Sequence, residues 1–254
     1  DVRTFEVTDK ASGKVVGLFY LDNFAREGKR SGAWMTTYRS RAGLLGDDIV
    51  LASNNNNFTK GEAGKPVLIS LDDAETLFHE FGHAINYLLI DVRYPSLGGL
   101  QRDFVEYPSQ VNENWLLTPE VLQRFAKHYQ TGQPMPQALV DKIQKANTFN
   151  QGFASVEYVS SALVDFDFHL LANAEEIDPG NFERATLQQI GMPEAIVMRH
   201  RPPHFGHIFS GDGYSSAYYS YLWSEVLDAD GFAAFEGAGD IFDPEVARPL
   251  RDHV

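Results

Sequence analysis

The stretch AETLFHEFGHAINYLL, Ala74 to Leu89, contains His79-Glu80-x-x-His83. On a helix, residues four apart share a face, so the two imidazoles can converge on one metal ion while Glu80 lies close to that ion's water. The chemistry this allows is metal-assisted hydrolysis, and a catalytic zinc normally takes three protein ligands plus a water. The motif supplies two. On its own it is also compatible with an ordinary amphipathic helix carrying histidines on its polar flank. The metzincin pattern does not apply, because Asn86 stands where it needs glycine and Leu89 where it needs the third histidine. The chain has no cysteine, so any metal is held by histidines and carboxylates, and the third ligand must be a carboxylate. RDFVEYPSQVNENWLL downstream offers Asp103, Glu106 and Glu113 at spacings that place all three on one helical face. Their apolar neighbours, Phe104, Val105, Tyr107, Val111, Trp115 and Leu116, argue for a packed helix that directs its carboxylates to a site.

The elements that must position these residues are legible in outline. RTFEV, VVGLFYLD, GAWMTTY and KPVLISL alternate with turn clusters and predict a small antiparallel sheet, so residues 1–71 read as strand-rich. From Asp72 the period becomes helical. Leu77, Phe78, Phe81, Ala84, Ile85, Leu88 and Leu89 repeat at three and four residues, with Asp72 and Glu75 as a capping pair. Further helices are predicted at about 104–117, 119–129, 136–147, 153–173, 181–190 and 215–230, making residues 72–254 the helical part of a single domain, 1–254, of mainly helical α+β class. The breaks between helices do not resemble interdomain linkers.

Composition narrows the partners. Lysine and arginine number 21 against 35 acidic residues, a formal charge of −14. That opposes the basic footprint needed for nucleic acid or an anionic membrane, and neither is expected as a partner. Apolar runs such as AINYLLI are too short to span a membrane. The opening DVRTFEVTDK has no initiator methionine and no apolar signal core, which reads as a soluble chain, either a short protein or a fragment. The absence of cysteine fits a reducing compartment, so the cytoplasm is the expected location, with the periplasm as the alternative. Asn57-Phe58-Thr59 is a formal glycosylation sequon, but SNNNNFTKG reads as a polar turn. His128, His169, His200, His204 and His253 have no ligand-like spacing to the motif and read as surface or core residues.

The segment from His207 to Trp223 carries the remaining candidates. Gly211 and Gly213 permit a loop to approach a substrate closely, and Tyr214, Tyr218, Tyr219 and Tyr221 offer phenolic donors. A tyrosine run leading into LWSEVL is otherwise the makings of a helix core.

Together, TLFHEFGHA, RDFVEYPSQ with ENW, and HIFSGDGYSSAYYSYLWSEV closely resemble the thimet oligopeptidase and dipeptidyl carboxypeptidase family of zinc metallopeptidases, with the bacterial peptidyl-dipeptidase branch nearest. GLFYLDNFAREGKRSGAW and NFTK extend the resemblance along nearly the whole chain. It implies a zincin-like catalytic domain holding one Zn2+ per chain, with Glu106 as the third ligand beside His79 and His83. Glu113 would orient a ligand histidine. Glu80 would be the general base that activates the zinc's water. His207, Tyr214 and Tyr221 would act on the substrate and its oxyanion, with Tyr218 a lesser candidate on a loop carrying Gly211 and Gly213.

The implied function is zinc-dependent hydrolysis of short oligopeptides, with release of C-terminal dipeptides as one form of it. The chain departs from the family in lacking the large N-terminal helical region that walls a channel, and in ending early after RDHV. The connection from His83 to Glu106 is two residues shorter than the family's, and Asn86 replaces a common histidine. Self-association or a complementary N-terminal half is therefore expected as a partner. Two other readings stand beside the peptidase: a truncated relative that binds zinc as an interaction module with little turnover, and a metal-free helical domain with an accidental motif.

Overall fold

In a computed structural model, residues 2–46, 49–173 and 177–253 are described. The chain divides into two compact units: one of Asp1–Leu100, Glu106–Met135 and Ser224–Val254, the other of Gln101–Val105 and Pro136–Trp223.

The first unit opens with strands β1 (Arg3–Thr8), β2 (Val15–Phe24), β3 (Trp34–Arg39) and β4 (Val50–Phe58) in the spatial order β1-β2-β4-β3. The sheet is mixed where an antiparallel one was expected: β1–β2 and β3–β4 are antiparallel, but β2 and β4 run parallel. The physical reason is that β4 enters between β2 and β3 instead of adding to an edge. KPVLISL, read as a strand, lies outside the sheet, and the asparagine run read as a turn lies inside β4, as four of its nine residues. Asparagine is a poor strand former because its amide needs partners, and here the amide nitrogens of Asn55, Asn56 and Asn57 find them. Asn55 Nδ2 donates to the Trp34 carbonyl at 3.1 Å, Asn56 Nδ2 to Asn23 Oδ1 at 3.0 Å, and Asn57 Nδ2 to the carbonyls of Arg30 and Gly32 at 2.7 Å each.

Helix α1 (Leu71–Leu89) packs on this sheet, with Phe19, Val50 and Ala52 against Ala84 and Leu88. Its N-terminus is fixed slightly earlier than the Asp72–Glu75 pair suggests. Ser70 Oγ accepts from the Asp73 N–H at 3.0 Å while Asp73 Oδ2 accepts from the Ser70 N–H at 3.0 Å, a reciprocal cap worth about 1 kcal/mol. The single helix expected at 104–117 is broken. A 3-10 turn spans Arg102–Phe104, and α2 (Tyr107–Glu113) starts afresh with Pro108 in its first turn, since proline within a continuous helix would clash with the carbonyl four residues back. Helix α3 (Pro119–Phe125) follows.

The second unit holds α4 (Gln137–Asn147), α5 (Gln151–His169), α6 (Pro179–Gln189) and the short α7 (Gly206–Phe209). Its core gathers Ala162, Val164, Leu187, Met198, Phe205, Ile208 and Tyr218. Helix α8 (Ser220–Ala238) begins five residues later than the pattern suggests, because Ser216 adopts a left-handed φ of 57° that no helix tolerates. From Ser224 onward α8, with α9 (Pro244–His253), belongs to the first unit. There Trp115 donates from its indole to the Ile241 carbonyl at 3.1 Å and meets Phe232 and Phe235 edge-on. No described helix is long and apolar enough to cross a membrane.

Candidate metal centre and tyrosine cluster

Helices α1 and α2 approach so closely that a methyl group on Gly82 would overlap the Pro108 carbonyl oxygen and sit 2.6 Å from Ser109 Cα. Glycine at this point lets Glu106, at the start of α2, reach the face of α1 that carries His79 and His83. Glu106 Oε2 lies 3.1 Å from His83 Nε2 and 3.3 Å from His79 Nε2. The three residues together can offer ligand atoms all within 4.8 Å of one another. Asn112 Nδ2 donates to the Phe78 carbonyl at 2.7 Å and ties the helices together beside the site.

The donor set suits a divalent ion that favours nitrogen and oxygen. Glu113, at the end of α2, places Oε1 2.5 Å from His79 Nδ1, which leaves Nε2 of that ring turned to Glu106. Ser109 Oγ donates to Glu106 Oε2 at 3.2 Å and to its carbonyl at 2.7 Å. Glu106 is only 1% exposed. Burial opposes its charge, but hydrogen bonds from His79 and His83 and their charges hold its carboxyl well below the usual range. Burial likewise opposes the charged form of His79, yet Glu106 and Glu113 together push it up to about 10. A cation at this position would relieve the same concentration of negative charge.

Glu80 is buried under β3. Burial raises its carboxyl above the ordinary value, Glu106 adds to the rise, and the charges of His79 and His83 and the Met35 N–H work against it. On the sheet side Asn54, with its amide nitrogen turned to α1, donates to the Glu80 carbonyl at 2.9 Å and accepts from the Phe81 N–H at 2.9 Å. Ser109, Asn112 and Asn54 support the site and escape a reading of the sequence. Ser109 and Asn112 lie three residues from Glu106 and four from Pro108, a helical spacing that could have marked them, whereas Asn54 has no sequence signal. Of the three carboxylates placed on one face by spacing, Glu106 and Glu113 meet the histidines. Asp103 lies in the other unit, where its Oδ2 accepts from the Tyr219 hydroxyl at 3.4 Å.

The second unit collects His207, Tyr214, Tyr218 and Tyr221. The His207 ring centroid is 5.7, 5.5 and 6.1 Å from those of Tyr214, Tyr218 and Tyr221, and Tyr214 and Tyr221 stack at 5.8 Å. The Arg102 guanidinium lies over Tyr214 at 5.3 Å. Tyr218 is buried in the core, whereas Tyr214 and Tyr221 are partly exposed. A side chain on Gly211 would enter open space, and one on Gly213 would come within 3.7 Å of Arg102.

In the first unit, the flank of α1 away from the sheet borders a cavity of about 810 Å3, lined among others by Phe81, Ile85, Val111, Trp115, Phe235 and Phe242. Buried Asn86 also lines it, and its Oδ1 has no hydrogen-bond partner among the described residues.

Residues 1–254 match the model of Peptidase family M3. Dipeptidyl carboxypeptidase of Escherichia coli (strain K12) is 42% identical over 246 residues, covering 95% of this chain and 36% of that protein. Oligopeptidase A of the same strain is 38% identical over 265 residues, covering 100% and 38%. Thimet-like oligopeptidase of Dictyostelium discoideum is 32% identical over 269 residues, again covering 100% and 38%. The chain thus spans little more than a third of the length of these relatives.

Proposed function

The chain belongs to Peptidase family M3, and from that membership we propose that it is a zinc metallopeptidase that hydrolyses peptide bonds in short oligopeptides. The observation that carries the proposal is the convergence of His79, His83 and Glu106, with the buried carboxyl of Glu80 one residue along the same helix. These three side chains would hold one Zn2+ in a zincin-like fold. When bound, such an ion polarises the scissile carbonyl and acidifies water.

The chain's own residues would do the rest. Glu80 takes a proton from the attacking water and passes it to the leaving amine, and its raised affinity for protons favours the uptake. Glu113 fixes the tautomer of His79. His207, Tyr214 and Tyr221 donate to the substrate and its oxyanion, Tyr218 supports them, and Gly211 and Gly213 let the loop approach the peptide.

The name of the Escherichia coli dipeptidyl carboxypeptidase supports release of C-terminal dipeptides as the form of the reaction. We further propose a cytoplasmic setting, with the 254 residues acting as one catalytic domain. The apolar cavity beside α1 supports either self-association or a complementary chain as a partner.

The test is zinc content together with hydrolysis of a fluorogenic oligopeptide, with and without chelator, for the wild type and Glu80→Gln. One zinc per chain, with chelator-sensitive activity lost in Glu80→Gln, is expected. Equal turnover by wild type and variant sinks the assignment of Glu80, and absence of stoichiometric zinc sinks the metal site.

A further inference from the structure

We infer that Asp165 is a positioning residue for the tyrosine cluster, its carboxylate setting the backbone turn from Ser216 to Tyr218. The inference rests on the proposed role of those tyrosines in catalysis.

Asp165 sits on α5, is fully buried, and commits both carboxylate oxygens. Oδ1 accepts from the Ser216 N–H at 2.9 Å and lies 2.8 Å from His169 Nδ1, while Oδ2 accepts from the Tyr218 N–H at 3.0 Å. Ala217, between them, closes the turn on itself by donating to the Tyr214 carbonyl at 2.9 Å. The other end of the turn is held from the same helix, because the Tyr158 hydroxyl donates to the Tyr218 carbonyl. The Tyr158 ring also stacks on that of Tyr218 with centroids 5.3 Å apart. One helix therefore grips Tyr218 by both its N–H and its C=O.

The turn would not keep this shape unaided. Ser216 has φ 57°, a conformation that a residue with a Cβ adopts only under compensation. The compensation is a pair of charge-assisted hydrogen bonds donated by the Ser216 and Tyr218 N–H groups to a carboxylate shut away from water, where such bonds are strongest. Tyr214 lies two residues before Ser216, and Tyr218 and Tyr221 two and five after it, so the same turn fixes the spacing of the three phenols. His207 packs among them. The sequence carries no hint of this: Asp165 lies in VDFDFH, 51 positions before Ser216 and 53 before Tyr218, with no motif spacing to the tyrosines.

Asp165→Asn is nearly isosteric but presents an amide N–H to a backbone N–H, so one of the two bonds must break. The 254-residue chain is compared as wild type, Asp165→Asn, and Asp165→Asn with Ser216→Gly, by zinc content, peptide hydrolysis and hydrogen exchange. Expected are one zinc throughout, faster exchange across residues 211–219 with α1 unchanged, and kcat down about 10- to 100-fold with KM little altered, as for a displaced transition-state donor. Glycine takes positive φ freely, so Ser216→Gly should restore part of kcat. A purely structural role would lower the melting temperature and leave kcat per zinc-loaded chain unchanged, and that result overturns the inference.

Unchanged exchange at 211–219 also overturns it. Faster exchange with full kcat overturns the inference, because the turn that Asp165 holds then positions nothing the reaction uses, and with it the catalytic role of the tyrosines. A wild type that turns over no peptide rejects the peptidase reading, and exchange then decides by itself whether Asp165 holds the turn. Should Asp165→Asn fail to fold, Tyr158→Phe, which removes only the bond to the Tyr218 carbonyl, is expected to give the same exchange pattern, and an unaltered pattern counts against the inference.

Discussion

At the scale of the residue, the centre is a set of charges that tolerate each other only in combination. Glu113 fixes one face of the His79 ring at 2.5 Å, so Glu113→Ala is expected to weaken zinc about 10- to 100-fold. Competition with a chromophoric chelator measures it, and unchanged affinity would mean that the ring needs no outside support. A second buried carboxylate carries a pH signature. Burial of Asp228, with the charges of Glu113 and Glu225 adding to it, raises its carboxyl above the ordinary value despite a hydrogen bond from Asn114. The folded protein therefore holds this proton more tightly than the unfolded chain does. The stability it contributes is present at low pH and is lost as pH rises through the raised folded value. Asp228→Asn keeps an oxygen for Asn114 and should melt above the wild type at pH 8, with the gain vanishing towards pH 4. Calorimetry that finds no pH dependence in that difference would refute burial as the cause of the shift.

At the scale of the element, the contact of α1 with α2 converts packing into ligand geometry. Gly82→Ala must push Pro108, Ser109 and Asn112 away. The overpacking is expected to cost about 1–3 kcal/mol and to carry Glu106 away from the histidines. Thermal unfolding and zinc stoichiometry should fall together, and full zinc occupancy in this variant would show that the helices can separate without disturbing the site. The histidine helix is legible because His79 and His83 ride on a strong helical period. Glu106 is reached only through resemblance: spacing alone leaves Asp103, Glu106 and Glu113 equal, and Pro108 breaks the helix on which that equality rests. β4 escapes for a different reason. Four successive asparagines look like a turn until carbonyls distant in sequence arrive, Trp34 for Asn55 and Arg30 with Gly32 for Asn57. The start of α8 depends on the left-handed Ser216, which no residue type announces.

At the scale of the molecule, Phe125, 67% exposed, and Phe242, 56% exposed, both line the apolar cavity beside α1, and an exposed apolar patch of this kind marks a surface for association. Concentration-dependent sedimentation and binding of an apolar fluorescent dye are expected, both reduced by Phe125→Ser with Phe242→Ser. A dye-silent monomer at all concentrations would count against a partner on this face. The net charge of −14 keeps such association from running on into precipitation. The pairing of His83 with Glu106 bridges 23 residues of chain. An ion gripped across that span would be a covalent-like staple as well as a reagent, denying the unfolded chain the freedom of an open loop. By the reckoning used for disulfides, a loop of this length is worth about 3 kcal/mol. Chelation should therefore lower the melting temperature by several degrees even in Glu80→Gln, which on the proposed role of Glu80 has no turnover to lose, so that the ion's hold on the polymer is read separately from its chemistry.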